Sequence, residues 1–205
     1  MKPGDYVARI LLLLVFTSSV PASPQARRTG IAAIRTDDGY LVVWNQPDIH
    51  FMVGLKGKDV RPMGSPGTGS VAFNVDSVVF QIQSVAISEF AKNARKQKLN
   101  EAAILIAHRD WETQYLEQTA GTKLNITTVP QQLRNGSQAL LWKYDKPPTR
   151  GSEQMYLTTV TGNHVVILNG VVGGKASETA VKRLLLDTIA TLEVSSRPID
   201  LPKVR

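Results

Sequence analysis

Gln154-Met155-Tyr156-Leu157-Thr158-Thr159-Val160-Thr161-Gly162-Asn163-His164-Val165-Val166-Ile167-Leu168-Asn169-Gly170-Val171-Val172 is the stretch that decides the fold. β-Branched and aromatic side chains fill both halves, and these fit a pleated, half-buried surface. The break between the halves is Gly162-Asn163, a pair that takes the backbone angles of a tight hairpin turn. Two antiparallel strands are expected, at 154–161 and 164–172. Just upstream, Gln138–Tyr144 places Leu140, Trp142 and Tyr144 on one face. Asn135-Gly136 precedes it, the dipeptide that best tolerates the positive φ angles of a type I′ turn. Leu124–Leu133 reads as the strand before that turn, broken late by Pro130. Lys146–Ser152 is an exposed connection. Together these make a four-strand antiparallel meander.

Helices flank the meander. Asn100 can cap a helix through its side-chain oxygen, and the run from Glu101 to Ala120 contains neither Gly nor Pro. Gly121 is the expected stop. Ile104, His108, Trp111 and Tyr115 recur at spacings that put them on one helix face. Ser177 can cap a last helix, over 177–194, with Val181, Leu184, Leu185, Thr188 and Leu192 as its buried stripe; Leu186 and Ile189 widen it.

Towards the N-terminus, Tyr40–Trp44 reads as a strand and Asn45-Gln46-Pro47-Asp48 as turn chemistry. Ile49, Phe51, Val53 and Leu55 alternate with their neighbours, which signals a half-buried strand and a hairpin over 40–55. Lys56–Ser70 is a loop rich in Gly and Pro. Gly64–Gly69 has the composition of a phosphate loop but lacks its Lys-Ser/Thr ending. Residues 71–87 return to strand character, and 88–98 are helix-compatible. The expected class is α+β: an antiparallel sheet with two amphipathic helices packed on one face.

The chain has 205 residues, 24 Lys+Arg against 17 Asp+Glu, and no Cys. The absence of Cys excludes a disulfide framework, a thiol nucleophile and Cys-ligated metal. Lys2 and Arg9 precede the apolar run Ile10–Phe16, and Val20 and Ala22 are small residues at cleavage positions. This is the pattern of a secretory signal peptide, and the run is too short to span a bilayer. The expected divisions are a cleaved signal peptide at 1–22, a flexible N-terminal segment at 23–36, a single domain at 37–196 and a basic tail at 197–205. A periplasmic or secreted location follows, with no stable membrane span after cleavage.

The early hairpin at 40–55, the helix before Gly121, and the block Tyr156–Leu168 followed by the helix at 177–194 resemble the PsbP-like α/β/α sandwich family. That family includes small bacterial envelope proteins. The resemblance spans most of the chain as topology and its closing block as sequence. It implies a protein that binds partners and does not catalyse.

Motifs for chemistry are sparse. The histidines are His50, His108 and His164, and no His-x-x-x-His spacing suits a metal. No Gly-x-Ser-x-Gly nucleophile elbow occurs. No cofactor or metal site is expected. His108-Arg109-Asp110-Trp111-Glu112 is the densest polar–aromatic cluster. Its functional reading is a binding edge of His108, Arg109, Trp111, Glu112 and Tyr115, with Trp111 and Tyr115 as apolar anchors and Arg109 for an anion. Its structural reading is a buried Trp111 and Tyr115 with the charges in water. His108 and Glu112 sit one helical turn apart, where two metal ligands or a plain surface contact are both geometrically possible. Lys92, Arg95, Lys96 and Lys98 form a basic patch suited to anionic lipid or polysaccharide. Nucleic acid is not expected, since no RNA-binding aromatic motif occurs.

The first functional expectation is a non-catalytic exported envelope protein that binds a protein partner or an anionic surface. A hydrolase would instead place His50, His108 or His164 beside a carboxylate in a pocket. A carrier of an apolar ligand would line a cavity with Phe51, Phe80 and Trp142.

Overall fold

The alternation of Ile49, Phe51, Val53 and Leu55 with less apolar residues puts all four side chains on one buried face of a strand. Their strand pairs with its predecessor across the Pro47-Asp48 turn, from Gly39↔Lys56 to Gln46↔Ile49. The computed structural model describes residues 30–64, 69–134, 136–145 and 152–201, without the side chains of residues 95 and 96. The signal peptide, Asn135 of the meander turn, most of the Gly64–Gly69 loop, most of the 146–152 connection and the end of the basic tail lie outside the described residues.

The elements run in this order: β1 (Gly30–Thr36), β2 (Gly39–Gln46), β3 (Ile49–Lys56), β4 (Val60–Pro62), β5 (Ser70–Val75), β6 (Val78–Ala86), α1 (Ile87–Phe90), α2 (Ala94–Gln97), α3 (Glu101–Ala120), β7 (Ile126–Gln132), β8 (Gln138–Tyr144), β9 (Glu153–Thr161), β10 (His164–Val172), α4 (Glu178–Ile189) and β11 (Glu193–Ser195). A small sheet has the order β1-β2-β3-β11, and a large one the order β4-β5-β6-β10-β9-β8-β7. Every strand pairing is antiparallel. The architecture is α+β, and its meander is β7 to β10.

The small sheet and α4 share one core with the inner face of the large sheet. Trp44, Phe51 and Leu55 meet Phe73, Phe80 and Leu168, and α4 adds Val181, Leu185 and Ile189. α4 comes close to β10 at Gly170, where an added Cβ would lie 2.5 Å from a Val181 methyl. Thr191, just beyond α4, accepts from the Gly54 amide at 2.8 Å and donates to its carbonyl at 3.1 Å. The outer face of the large sheet forms a second cluster with α3, in which Leu105 packs with Leu140, Trp142, Tyr156 and Ile167.

The expectation that both helices cover one face is therefore corrected: they lie on opposite faces. The physical reason is the burial of β8, β9 and β10 on both sides. Leu157 and Leu168 point into one cluster while Tyr156 and Ile167 point into the other, and each apolar side needs its own cover. The flexible reading of 23–36 is corrected for its described part. Gly30–Thr36 is strand β1, paired along its length with β2, and Ile31 and Ala33 pack against the core. The helix expected to reach 194 ends at Ile189, and Glu193–Ser195 adds a strand to β3 instead. The described part of the tail is tied down. Ile199 donates its amide to the Asn45 side chain at 2.9 Å, and the Asn45 amide donates back to the Ile199 carbonyl at 2.9 Å.

Helix α3 starts and stops where its sequence says. Asn100 accepts from the Ala103 amide at 2.9 Å, and Gly121 takes φ 67° in the left-handed region, its amide bonded to the Glu117 carbonyl. Asn100→Ala is expected to lower stability by about 1 kcal/mol. Urea unfolding monitored by helix signal checks this, and an unchanged midpoint would show that the cap contributes nothing.

Candidate functional site

The five residues singled out in the sequence do not converge on one pocket. His108 is fully buried on α3. Phe90 of α1 meets it edge-on, with ring centroids 5.2 Å apart, and Trp111 lies 6.0 Å away. Neither ring nitrogen has a hydrogen-bond partner. Burial alone pulls its pKa down to about 4, so His108 is neutral at pH 7. Glu112, one turn on, is half-buried, and desolvation raises its carboxyl to about 7. Its charge is felt by Tyr144 and Tyr156 on the sheet beneath. Tyr156 stacks flat on Trp142, with centroids 4.0 Å apart, and donates its hydroxyl to Gln154 Oε1 at 2.8 Å. Asn169 donates to the same oxygen at 3.0 Å.

Arg109 is already engaged. It donates to the Asp110 carboxylate at 2.9 Å through Nε and to the Thr128 hydroxyl at 3.1 Å through Nη1. With Glu117, Lys123 and Thr128 it lines a groove of about 540 Å³ between α3 and β7. The groove's charges pair internally, with Lys123 Nζ 2.6 Å from Glu117. Trp111 is 37% exposed and Tyr115 is half-buried, so the apolar residues of this stripe stand at the margin of the core. Among the described residues, no group of three or more His, Asp or Glu is placed to hold a metal.

A second site forms where two hairpin turns meet. The β2–β3 turn carries Asp48, and the β9–β10 turn carries Gly162 and Asn163 next to His164. Ile87, the first residue of α1, donates its amide to the Asn163 carbonyl at 2.8 Å, which draws α1 onto this turn. His164 Nε2 lies 3.3 Å from Asp48 Oδ2. His164 is buried, and Asp48 is 65% exposed. Burial lowers the His164 pKa and Asp48 works against that shift; burial is the larger effect. Nδ1 of His164 is buried without a hydrogen-bond partner.

The cleft around this pair measures about 620 Å³. Asp48, Ser88, Lys92, Lys98, Asn163 and His164 form its polar lining, and apolar residues including Ile87 and Ile104 complete it. Lys98 follows α2 with φ 52°, in the left-handed region, and the Leu99 amide bonds back to the Ala94 carbonyl at 3.1 Å. Glycine is the usual residue at such a helix end.

His164 follows one turn, Asp48 lies inside another, and Lys92 and Lys98 belong to a basic patch, and no sequence spacing brings them together. The two turns are more than a hundred residues apart in the chain, and no local spacing reports their meeting. His50, by contrast, is half-buried on β3 opposite Asn45 and Ser195, with Nδ1 unpartnered. Phe51, Phe80 and Trp142 are at most 1% exposed and packed in the two clusters. None of them lines either cleft.

No family model matches the chain, and no curated protein matches it. Among solved structures, the chain is similar to a crystal structure from Bacteroides thetaiotaomicron, with 17% sequence identity and a TM-score of 0.33. That match covers 71% of this chain and 45% of the other, so the chain spans less than half the length of the protein it matches.

Proposed function

We propose that this chain is a non-catalytic binding protein of the cell envelope, PsbP-like in fold, that holds a protein partner or an anionic surface. The observation that carries the non-catalytic reading is the state of His164. A relay histidine divides its two ring nitrogens between a carboxylate and a nucleophile. Here Nε2 faces Asp48, and Nδ1 is shut away from solvent with no partner. The other buried histidine, His108, has no partner on either nitrogen. Export is supported by the Lys2–Ala22 pattern.

The hydrolase reading keeps one observation in its favour, the His164–Asp48 contact in an open cleft. One experiment decides between them. The wild type and His164→Gln are assayed against esters, phosphoesters, amides and glycosides of a common chromophore. Equal background rates are expected. A rate present in the wild type and lost in His164→Gln, with the fold intact by circular dichroism, would overturn the non-catalytic reading. Fractionation after expression in a Gram-negative host tests export: a periplasmic product starting at Ser23 is expected, and a full-length cytoplasmic one would remove the envelope assignment.

A further inference from the structure

We propose that the cleft between the two hairpin turns binds an anionic amphiphile, with Lys92 and Lys98 holding the charged head and Ile87 and Ile104 receiving the apolar body. This rests on the binding reading above and names the ligand class.

The cleft has a size suited to a small molecule, about 620 Å³. Its lining is divided by chemistry. Ile87, Leu99 and Ile104, with three alanines, supply an apolar floor, and the cations stand at the exposed margin. Among the described residues, neither Lys92 nor Lys98 enters an ion pair, a state they share with Lys58, Lys175 and Lys182; what sets Lys92 and Lys98 apart is that both line the cleft. The lining therefore holds two lysines and one carboxylate, Asp48. Burial disfavours the charged form of His164, against the pull of Asp48.

Lys98 gives a second reason. Its backbone takes a left-handed conformation that strains any residue with a side chain. A Gly at this helix end would relieve that strain and remove the ammonium from the cleft. A strained residue that presents a charge to a cavity points to use of that charge. A neutral polar ligand would leave both ammonium groups unanswered, and a purely apolar one would have to bury beside them. An anionic head on an apolar body answers both halves of the lining.

The test is calorimetric titration of the full chain with decanoate and with decyl phosphate, each below its micelle concentration, with decanol as the uncharged control. Saturable binding of at least one anion is expected, at least tenfold tighter than decanol. The anion that binds more tightly identifies the head group, carboxylate or phosphate. Lys92→Gln/Lys98→Gln is expected to weaken binding at least tenfold. Lys175→Gln/Lys182→Gln, which makes the same change in net charge on exposed lysines elsewhere, is expected to leave it unchanged. Absence of binding overturns the inference, as does equal binding of decanol or equal weakening by the two double variants. Decyl phosphate recovered as decanol and inorganic phosphate would sink the non-catalytic reading instead, while leaving the ligand class standing.

Discussion

Trp142→Ala is expected to lower the stability of this chain by about 4 kcal/mol, within the range for removing a large aromatic from a core. Trp142 is 1% exposed and lies flat on Tyr156, with ring centroids 4.0 Å apart and 3° between the planes. Truncation to Ala removes that stack and leaves a cavity beneath α3, where Leu105, Leu140 and Ile167 would lose a neighbour. Those residues sit on a sheet and a capped helix, so collapse into the void is limited. Trp142→Phe sharpens the argument. The indole Nε1 has no hydrogen-bond partner, so a phenyl ring keeps most of the packing and removes a buried, unsatisfied donor. Its expected cost is less than half that of the alanine variant. Urea unfolding of all three proteins by far-ultraviolet circular dichroism gives the comparison. A loss below about 1.5 kcal/mol for Trp142→Ala would mean that α3 is not held to the sheet by this cluster.

The sequence makes some of these elements plain and conceals others, and the division follows distance along the chain. Asn100, Gly121 and Ser177 act on residues three or four positions away, so the helix boundaries at those residues are readable. The 40–55 hairpin and the Gly162-Asn163 turn are readable for the same reason. The Asp76-Ser77 turn is less so. Both residues take positive φ, 48° and 75°, without a glycine. Asp76 is held by accepting from the Lys58 and Asp59 amides at 3.2 and 2.8 Å, contacts made across the preceding loop. β1 is hidden in the sequence because Gly30–Thr36 has no clean alternation, and it is a strand through its pairing with β2. β11 is three residues long and exists only as an addition to β3.

The helix faces show the same limit. Ile104, His108, Trp111 and Tyr115 share one stripe by spacing, but spacing does not say how deep each position lies. Trp111 overhangs the edge of the core beside Phe90, while Leu105 and His108 are buried. Sheet breadth sets that outcome: α3 sits over β8 and β9, whose large rings fill the ground under its middle. The hairpin cleft is the furthest from sequence. It requires two turns, one from each sheet, to be brought together by the shared core, and only the folded chain shows Asp48 beside His164.

Glu112→Gln is expected to make the chain more stable than wild type by roughly 2–3 kcal/mol at pH 8, with no gain at pH 4.5. The folded carboxyl titrates near 7 against an ordinary 4.5, because burial disfavours its charge. A raised folded pKa gives stability that is complete below the unfolded value and lost as pH rises through the folded one. For Glu112 the loss runs from about 4.5 to about 7. Glutamine imitates the protonated acid and escapes that loss. His108 has the opposite sign. Its folded pKa is about 4 against 6.5, so its stability is present above 6.5 and is lost as pH falls towards 4. Between 4.5 and 6.5 the two slopes oppose each other, and this pair contributes a plateau to the wild-type profile. Each substitution unmasks the other slope: Glu112→Gln should gain stability from pH 4 to 6.5 relative to a His108→Leu/Glu112→Gln background. His108→Leu should be more stable than wild type at pH 4. Differences between variants remove the contribution of the remaining carboxylates, which all the proteins share. Urea midpoints measured from pH 4 to 8 read these slopes directly. If Glu112→Gln tracks the wild type across that range, Glu112 is solvated in the folded chain, and the two tyrosines beneath α3 do not face a neutral acid.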